Sequence, residues 1–390
     1  SASYSYDRPL TAVEIYGNYR RPFEKEMLYR SGMELFVRGG NCLLPHGMWY
    51  DPQKVRIPPL ISHFSDEIGP ALAHYNDWAA RASMLLQGGR HVADIGVLYP
   101  VATMQAYAYF GIRGHLHPGL TMPKNTDFNA LSDLLTGGIR RDFTFLHPEI
   151  IDAKCRVHGT KFRMENKINF EDYSVIIIPS VSTIHWSNLQ KIEAFYQAGG
   201  KVIATTQLPS MSAEFGHNRE VRKTIAAIFP SALVNDKGYA RKTNKAGGAA
   251  YFVPSLNDNG SALAAALEDA VPVSDVDFGP GAPRFTHLPQ SGSHPPKEGK
   301  HVGMLSYIHK VKNGRNIFYF ANSTDEPVEM DVVLRGELTL QSWNPDNGTI
   351  NDVSSNAIKE GRVPCTQVRL KLGAVRSNFF VEVPAVKGGT

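Results

Sequence analysis

Three short runs, DIGVL at 94–98, VIII at 175–178 and KVIAT at 201–205, most constrain what this chain can fold into. Each is almost wholly apolar and lacks the in–out alternation of a strand with one wet face. Such a strand has to be covered on both sides, and the common solution is a parallel sheet flanked by helices. Segments of helical spacing stand between the runs. FNALSDLLTGGI (128–139) ends in a glycine stop, and from Ser187 to Ala198 the residues Leu189, Ile192, Phe195 and Tyr196 share one face. DFTFLHP (142–148) adds a further strand, and weaker helices follow near 219–229 and 260–270. Residues 91–280 therefore read as one α/β domain.

The flanking segments follow other rhythms. Residues 1–90 give a strand ending near Glu14, a helix from Pro22 to Arg38, a short strand Cys42–Leu44, and a long helix. That last helix carries Ile68, Leu72, Tyr75, Ala79, Ala82 and Leu86 on one face and closes at Gly88–Gly89. The order is that of βα units, but two strands cannot close a barrel. An incomplete part of a barrel is the expectation. From about 273 to 300 the chain turns rich in Pro, Gly and Ser, which reads as a linker or long surface loop. After it, SYIHKV, RNIFYFANS, EMDVVLRG, ELTLQSW, QVRLKL and NFFVEV are strands with turns such as KNGR and PDNG between them. Residues 281–390 are thus expected to be a linker and a β-sandwich.

Composition removes several function classes. At 390 residues the chain exceeds one ordinary core, so two or three domains are expected. A net charge of +4 with scattered Lys and Arg offers no electrostatic footprint for nucleic acid. No apolar run approaches the about 18 residues of a membrane helix, and SASYSYDRPL carries no signal-peptide pattern. Cys42, Cys155 and Cys365 are too few and too far apart for a disulfide framework or a CxxC metal site.

Glu14 and His46 hold the best positions for chemistry. Both stand at the carboxyl end of a strand or in the loop just after it, on what would be neighbouring strands of a barrel. Tyr16, Asn18 and Tyr19 follow the first, and Trp49, Tyr50 and Asp51 follow the second. Aromatic faces stack on a pyranose while carboxylates bind hydroxyls and move protons. The plainer reading is a surface acid at a strand end and a histidine that bonds its own loop. In the α/β domain, VIIIPSVSTIHW resembles the strand–turn–helix where class I glutamine amidotransferases hold a nucleophile, but its turn has Ser180, Val181 and Ser182 and no cysteine. Neither a G-x-S-x-G elbow nor a Gly-rich phosphate loop is present, so that domain reads as noncatalytic. His115, His117, His147 and His158 lack the spacing and neighbours of a metal site, and Asp127 and Asn129 read as helix caps.

Taken in order, AVEIYGNY, CLLPHGMWYD, HYNDWAARASMLLQGGRHVADIGVLYP, DFTFLHPEII, YSVIIIPSVSTIHWSNLQKIEAFYQAGGKVIAT, SYIHKVKNGRNIFYFANS and LQSWNPDNGTI resemble glycoside hydrolase family 106, the α-L-rhamnosidases, and related bacterial enzymes. The resemblance runs over essentially the whole chain. It implies the C-terminal portion of a larger enzyme: the last βα units of a (β/α)8 barrel in 1–90, an amidotransferase-like α/β domain in 91–280, and a C-terminal β-sandwich. Two carboxylates flank the glycosidic bond in such enzymes, one protonating the leaving oxygen and the other, in an inverting enzyme, activating water. Glu14 matches the barrel-end catalytic Glu and takes the base role, while its acid partner is expected on an earlier strand outside this sequence. Tyr16, Asn18, His46, Trp49 and Tyr50 would contact substrate. Calcium assists some relatives, but no oxygen-ligand cluster of readable spacing occurs here, so no cofactor is assigned. The implied partners are a carbohydrate substrate and either the remaining N-terminal part of the enzyme or another copy of the chain, with no nucleic acid and no membrane. The implied location is the bacterial periplasm or the exterior. The competing class is a noncatalytic carbohydrate-binding or structural module built on the same scaffold.

Overall fold

The computed structural model describes residues 1–18, 23–47, 49–109, 119–120, 123, 125–231, 234–257, 259–279 and 303–384. Tyr19, Pro22, His115, His117 and the Pro/Gly/Ser-rich stretch 280–300 lie outside the described residues. The chain is a mixed α/β protein with several sheets, and its contacts divide it into two compact units. Unit 1 comprises Ser1–Tyr6 and Ala93–Val273, and unit 2 comprises Asp7–Val92 and Ser274–Thr390.

Unit 1 is built on a six-stranded sheet. The three apolar runs pair in parallel, Val175–Ile178 lying between Ile95–Leu98 and Lys201–Thr205. Phe143–Leu146 and Ala249–Val253 extend the sheet in parallel on its two sides, and Ala240–Thr243 adds an antiparallel edge. Numbered along the chain, the five parallel strands lie in the order 2-1-3-4-5, a doubly wound arrangement. Strand side chains alternate between two separate cores, which is why the runs had to be apolar throughout. Ile95, Val97, Val175, Ile177 and Ile203 face the Ser261–Ala270 helix with Leu131 and Leu135. Leu98, Ile176, Ile178, Val202 and Ala204 face the other way, against Ile151, Leu189, Ile192 and Ile225. Gly96 is required between them, because a Cβ there would stand 2.7 Å from Leu146 Cδ1 and 2.9 Å from Ile176 Cδ1.

Two expectations change here. Tyr4 of the short Ala2–Ser5 helix is buried in the unit 1 core, so the first residues belong with this unit. Asp127 stands at the N-terminal boundary of the Phe128–Asp133 helix but its carboxylate does not cap it. Instead Oδ1 accepts the Ser180 N–H at 2.8 Å and Oδ2 accepts the Thr206 hydroxyl at 2.7 Å. It ties together the turns that follow the third and fourth parallel strands.

In unit 2 the Ala12–Ile15 and Cys42–Pro45 strands pair in parallel, in the register Ala12↔Cys42 to Ile15↔Pro45. The Lys25–Val37 helix lies between them in the chain, and a Gly69–Ala71 turn of 3-10 helix leads into the Leu72–Leu86 helix. No closed barrel forms among the described residues. Two antiparallel sheets complete the unit. One has the order Val276–Asp277, Val328–Arg335, Val363–Leu372, Ser355–Glu360, and the other runs Ile350–Asp352, Leu340–Trp343, Arg376–Glu382, Arg315–Asn322, Leu305–Lys312, Arg90–His91. Val276 and Phe278 are buried between these sheets, so the chain joins unit 2 inside the stretch expected to be linker.

The six-stranded sheet of unit 2 is covered twice. Phe318, Phe320 and Phe380 face the four-stranded sheet, while Ile317, Tyr319 and Phe379 face Phe36, Tyr75 and Trp78 of the two helices. Polar anchors fix the helices to it. Lys310, only 2% exposed, donates to the Leu86 carbonyl at 2.9 Å, and Lys312 donates to the Met84 carbonyl at 2.7 Å. Two cations thus satisfy the carboxyl end of the Leu72–Leu86 helix, where its dipole is negative. The buried Arg30 guanidinium donates to the Ser323 carbonyl and the Asp325 carboxylate. No helix among the described residues is long and apolar enough to cross a membrane.

A buried acid gives this unit a pH dependence. Burial alone would raise the Asp275 carboxyl, but the charge and hydrogen bond of His309, with Arg335 and His91 nearby, outweigh it and hold it below its usual range. His309 Nδ1 lies 3.0 Å from both carboxylate oxygens, and its Nε2 meets Asn316 Oδ1 at 2.9 Å. A depressed carboxylate contributes stability above its unfolded pKa and loses it as the pH falls through the folded one. Unit 2 should therefore lose stability below about pH 4. In Asp275→Asn that acid limb should flatten, and urea midpoints followed against pH in both proteins check it. Identical acid limbs would remove Asp275 from the account.

Candidate functional site

Parallel pairing brings Glu14 and His46 together. Glu14 sits opposite Leu44 in the register, and the His46 N–H donates to the Ile15 carbonyl at 2.7 Å, one residue past the end of its strand. Both side chains therefore leave the carboxyl edge of the same small sheet. His46 Nδ1 stands 2.5 Å from Glu14 Oε1. The carboxylate side chain is 71% exposed and the imidazole 27%.

Two glycines make this geometry possible. A Cβ on Gly17 would approach the His46 ring to 3.3 Å, so a side chain there would push the imidazole by a few tenths of an ångström. Gly47 has φ +107°, in the left-handed region, and a Cβ there would meet the Pro59 carbonyl oxygen at 2.6 Å. The Trp49 ring then lies with its centroid 6.2 Å from that of His46, at 76°. His46 Nε2 and Trp49 Nε1 are both inaccessible and have no hydrogen-bond partner among the described residues.

The expected group divides at this point. Glu14, His46 and Trp49 are neighbours. Asn18 is exposed with φ 64°, and Tyr50 is fully exposed. Tyr16, expected to contact substrate, is in the core: it is 2% exposed and its hydroxyl donates to the Leu28 carbonyl at 2.7 Å. With that proton committed, the Tyr75 hydroxyl is the donor in their 2.6 Å contact. A left-handed backbone at Tyr16, φ 75°, turns the ring inward against Phe23 and Tyr75. Its part is to hold the end of the strand that carries Glu14. Asp51 is occupied locally, accepting the Gln53 N–H at 3.0 Å and pairing with Lys54 at 3.1 Å. Gly17 and Gly47 were not among the expected site residues, although each directly neighbours the groups it positions.

Among the described residues the other candidates carry no comparable constellation. Ser182 Oγ meets Thr183 Oγ1 at 3.3 Å, and neither Ser180 nor Ser182 bonds a histidine or carboxylate through its hydroxyl among the described residues. His147 Nδ1 accepts the Glu149 N–H at 3.4 Å as a helix cap, and His158 pairs with Glu165 at 3.0 Å on the surface. Among the described residues no three His, Cys, Asp or Glu side chains converge as a metal ion would need.

No family model matches the chain, and no curated protein matches it. Solved structures do match it over nearly its whole length. A rhamnosidase from Novosphingobium sp. PP1Y aligns with TM-score 0.64 at 17% identity, over 99% of this chain and 33% of that one. A β-galactosidase from Bacillus circulans sp. alkalophilus aligns with TM-score 0.61 at 11% identity, over 96% of this chain and 55% of that one. The α-L-fucosidase isoenzyme 2 from Paenibacillus thiaminolyticus gives TM-score 0.55 at 13% identity, over 96% and 60%. This chain thus spans between 33% and 60% of the length of these three structures. At such identities the likeness is one of architecture, and the chain has a glycoside hydrolase-like fold.

Proposed function

We propose that this chain is the C-terminal portion of a glycoside hydrolase that cleaves α-L-rhamnosides through a pair of carboxylates, with Glu14 as the base. The observation that carries the reading is the hydrogen-bonded Glu14–His46 pair at the carboxyl edge of two parallel strands, beside Trp49. That is the edge from which a βα barrel presents its reacting groups. The two strands are read as the last of a (β/α)8 barrel, the parallel domain as a noncatalytic amidotransferase-like scaffold, and the two antiparallel sheets as a C-terminal β-sandwich. The likeness to glycoside hydrolases of greater length supports the reading. So does the order of the sequence phrases.

In the proposed reaction an acid supplied by an earlier strand protonates the leaving oxygen, while Glu14 takes a proton from the water that attacks the anomeric carbon. Trp49 and the exposed Tyr50 and Asn18 would face the sugar. The test compares the complete protein with the isolated chain on aryl α-L-rhamnosides. The complete protein should hydrolyse them with inversion at the anomeric carbon, and the isolated chain should be nearly inert. A complete protein inactive on rhamnosides, or an isolated chain that hydrolyses them robustly, would overturn the proposal.

A further inference from the structure

We infer that His46 is a positioning residue for Glu14: a neutral imidazole whose Nδ1–H holds Oε1 and leaves Oε2 as the oxygen that receives the proton. The consequence for catalysis rests on the glycosidase reading above, whereas the arrangement of the pair does not.

The chemistry of the two groups fixes the donor. A carboxylate only accepts, so in the 2.5 Å contact the proton lies on Nδ1. Whether Nε2 also carries one is decided by its surroundings. Nε2 is inaccessible and meets no acceptor among the described residues, so a proton there would make a desolvated, unpaired N–H on a charged ring. The attraction of a largely exposed carboxylate is small beside that cost. The ring therefore carries a single proton, on Nδ1. His309 in the same unit provides the contrast, since its two nitrogens face Asp275 and Asn316.

Packing holds the ring where this bond needs it. Gly17 lies against the ring, where a Cβ would stand 3.3 Å from it, and the Trp49 ring neighbours it at 76° to its plane. Glu14, by contrast, is mostly exposed and would sample several rotamers without a partner. Tying Oε1 to a fixed ring leaves Oε2 as the free basic atom in one orientation. In the hydrolytic step a water O–H bond breaks and its proton goes to Oε2. The water oxygen bonds the anomeric carbon as the glycosidic C–O bond breaks, and the leaving oxygen takes its proton from the partner acid. His46 gains and loses no proton in this sequence.

The tautomer can be read directly. The 390-residue chain is labelled with ¹⁵N-histidine, and the His46 signals are assigned by their loss in His46→Gln. At neutral pH the long-range ¹H–¹⁵N spectrum should show a protonated Nδ1 and a bare Nε2. In Glu14→Ala, an exposed change that leaves the other histidine signals in place, Nε2 should stay bare because its surroundings are unchanged, while the Nδ1–H loses its acceptor and exchanges faster with water. A protonated Nε2 in the unsubstituted chain, or an Nδ1–H whose exchange with water is the same in Glu14→Ala, overturns the inference. In the complete enzyme, His46→Leu should lower kcat about 10²-fold by misplacing the base while KM stays nearly unchanged. A raised KM with unchanged kcat would make His46 a sugar contact instead. If the complete protein hydrolyses no glycoside, the glycosidase reading fails, and the tautomer spectrum still decides the state of the pair.

Discussion

On the proposed glycosidase reading, Glu14→Gln in the complete protein should lower kcat by about 10²–10⁴-fold, the usual contribution of general-base assistance, with KM nearly unchanged. The amide has almost the shape of the carboxylate. Its oxygen can still accept the His46 Nδ1–H that now reaches Oε1. What it cannot do is take a proton from water. An interaction needed only in the transition state appears in kcat, whereas one shared with the bound substrate appears in KM. Full activity of the variant would return Glu14 to the plainer reading of a surface acid at a strand end.

The second large effect concerns stability. Trp78→Ala should destabilise unit 2 by about 3–5 kcal/mol, a sizeable share of the stability of an ordinary domain. The indole is 1% exposed, and its Nε1–H donates to Ser377 Oγ at 3.1 Å. The rings of Tyr29, Phe36 and Tyr75 surround it at centroid distances of 5.2, 5.4 and 5.6 Å. Refilling the cavity is difficult, because Gly32, on the Lys25–Val37 helix where a Cβ would stand 3.0 Å from the indole, has no side chain to move into the space. Urea unfolding of the two proteins, followed by circular dichroism, checks the loss. A change below about 1 kcal/mol, the typical cost of a point substitution in general, would mean that Trp78 is not the keystone of this core.

Much of the layout was legible because covered strands leave no choice of composition. VIII at 175–178 is apolar throughout since each of its faces meets a different core, and nothing else in the sequence was needed to see that. RNIFYFANS has the same property for the same reason, yet one of its two covers could not be read. The helices that bury Tyr319 and Phe379 lie more than two hundred residues earlier in the chain, and no local pattern announces such a pairing. At the candidate site, the nearness of Glu14 and His46 followed from consecutive parallel strands. The inward turn of Tyr16 did not, because a left-handed conformation at a tyrosine is uncommon and has no composition signal. Asp127 misled for a related reason. Its place before a helix is that of a cap, but the Ser180 N–H and the Thr206 hydroxyl are better partners brought by the sheet.

The division of the chain into interleaved units also sets the order in which its cores can form. The helices Lys25–Val37 and Leu72–Leu86 are synthesised well before the strands that cover them, Arg315–Asn322 and Arg376–Glu382. Arg90–His91 likewise waits for Leu305–Lys312. At translation speeds of about 5–20 residues per second, the interval is on the order of 10–60 s. Through that time the strands of unit 1, which form a nearly contiguous stretch, can pair with one another. Trp78 and its aromatic neighbours meanwhile have no sheet to pack on. On the ribosome that aromatic helix face therefore stays uncovered until Arg315–Asn322 and Arg376–Glu382 have emerged.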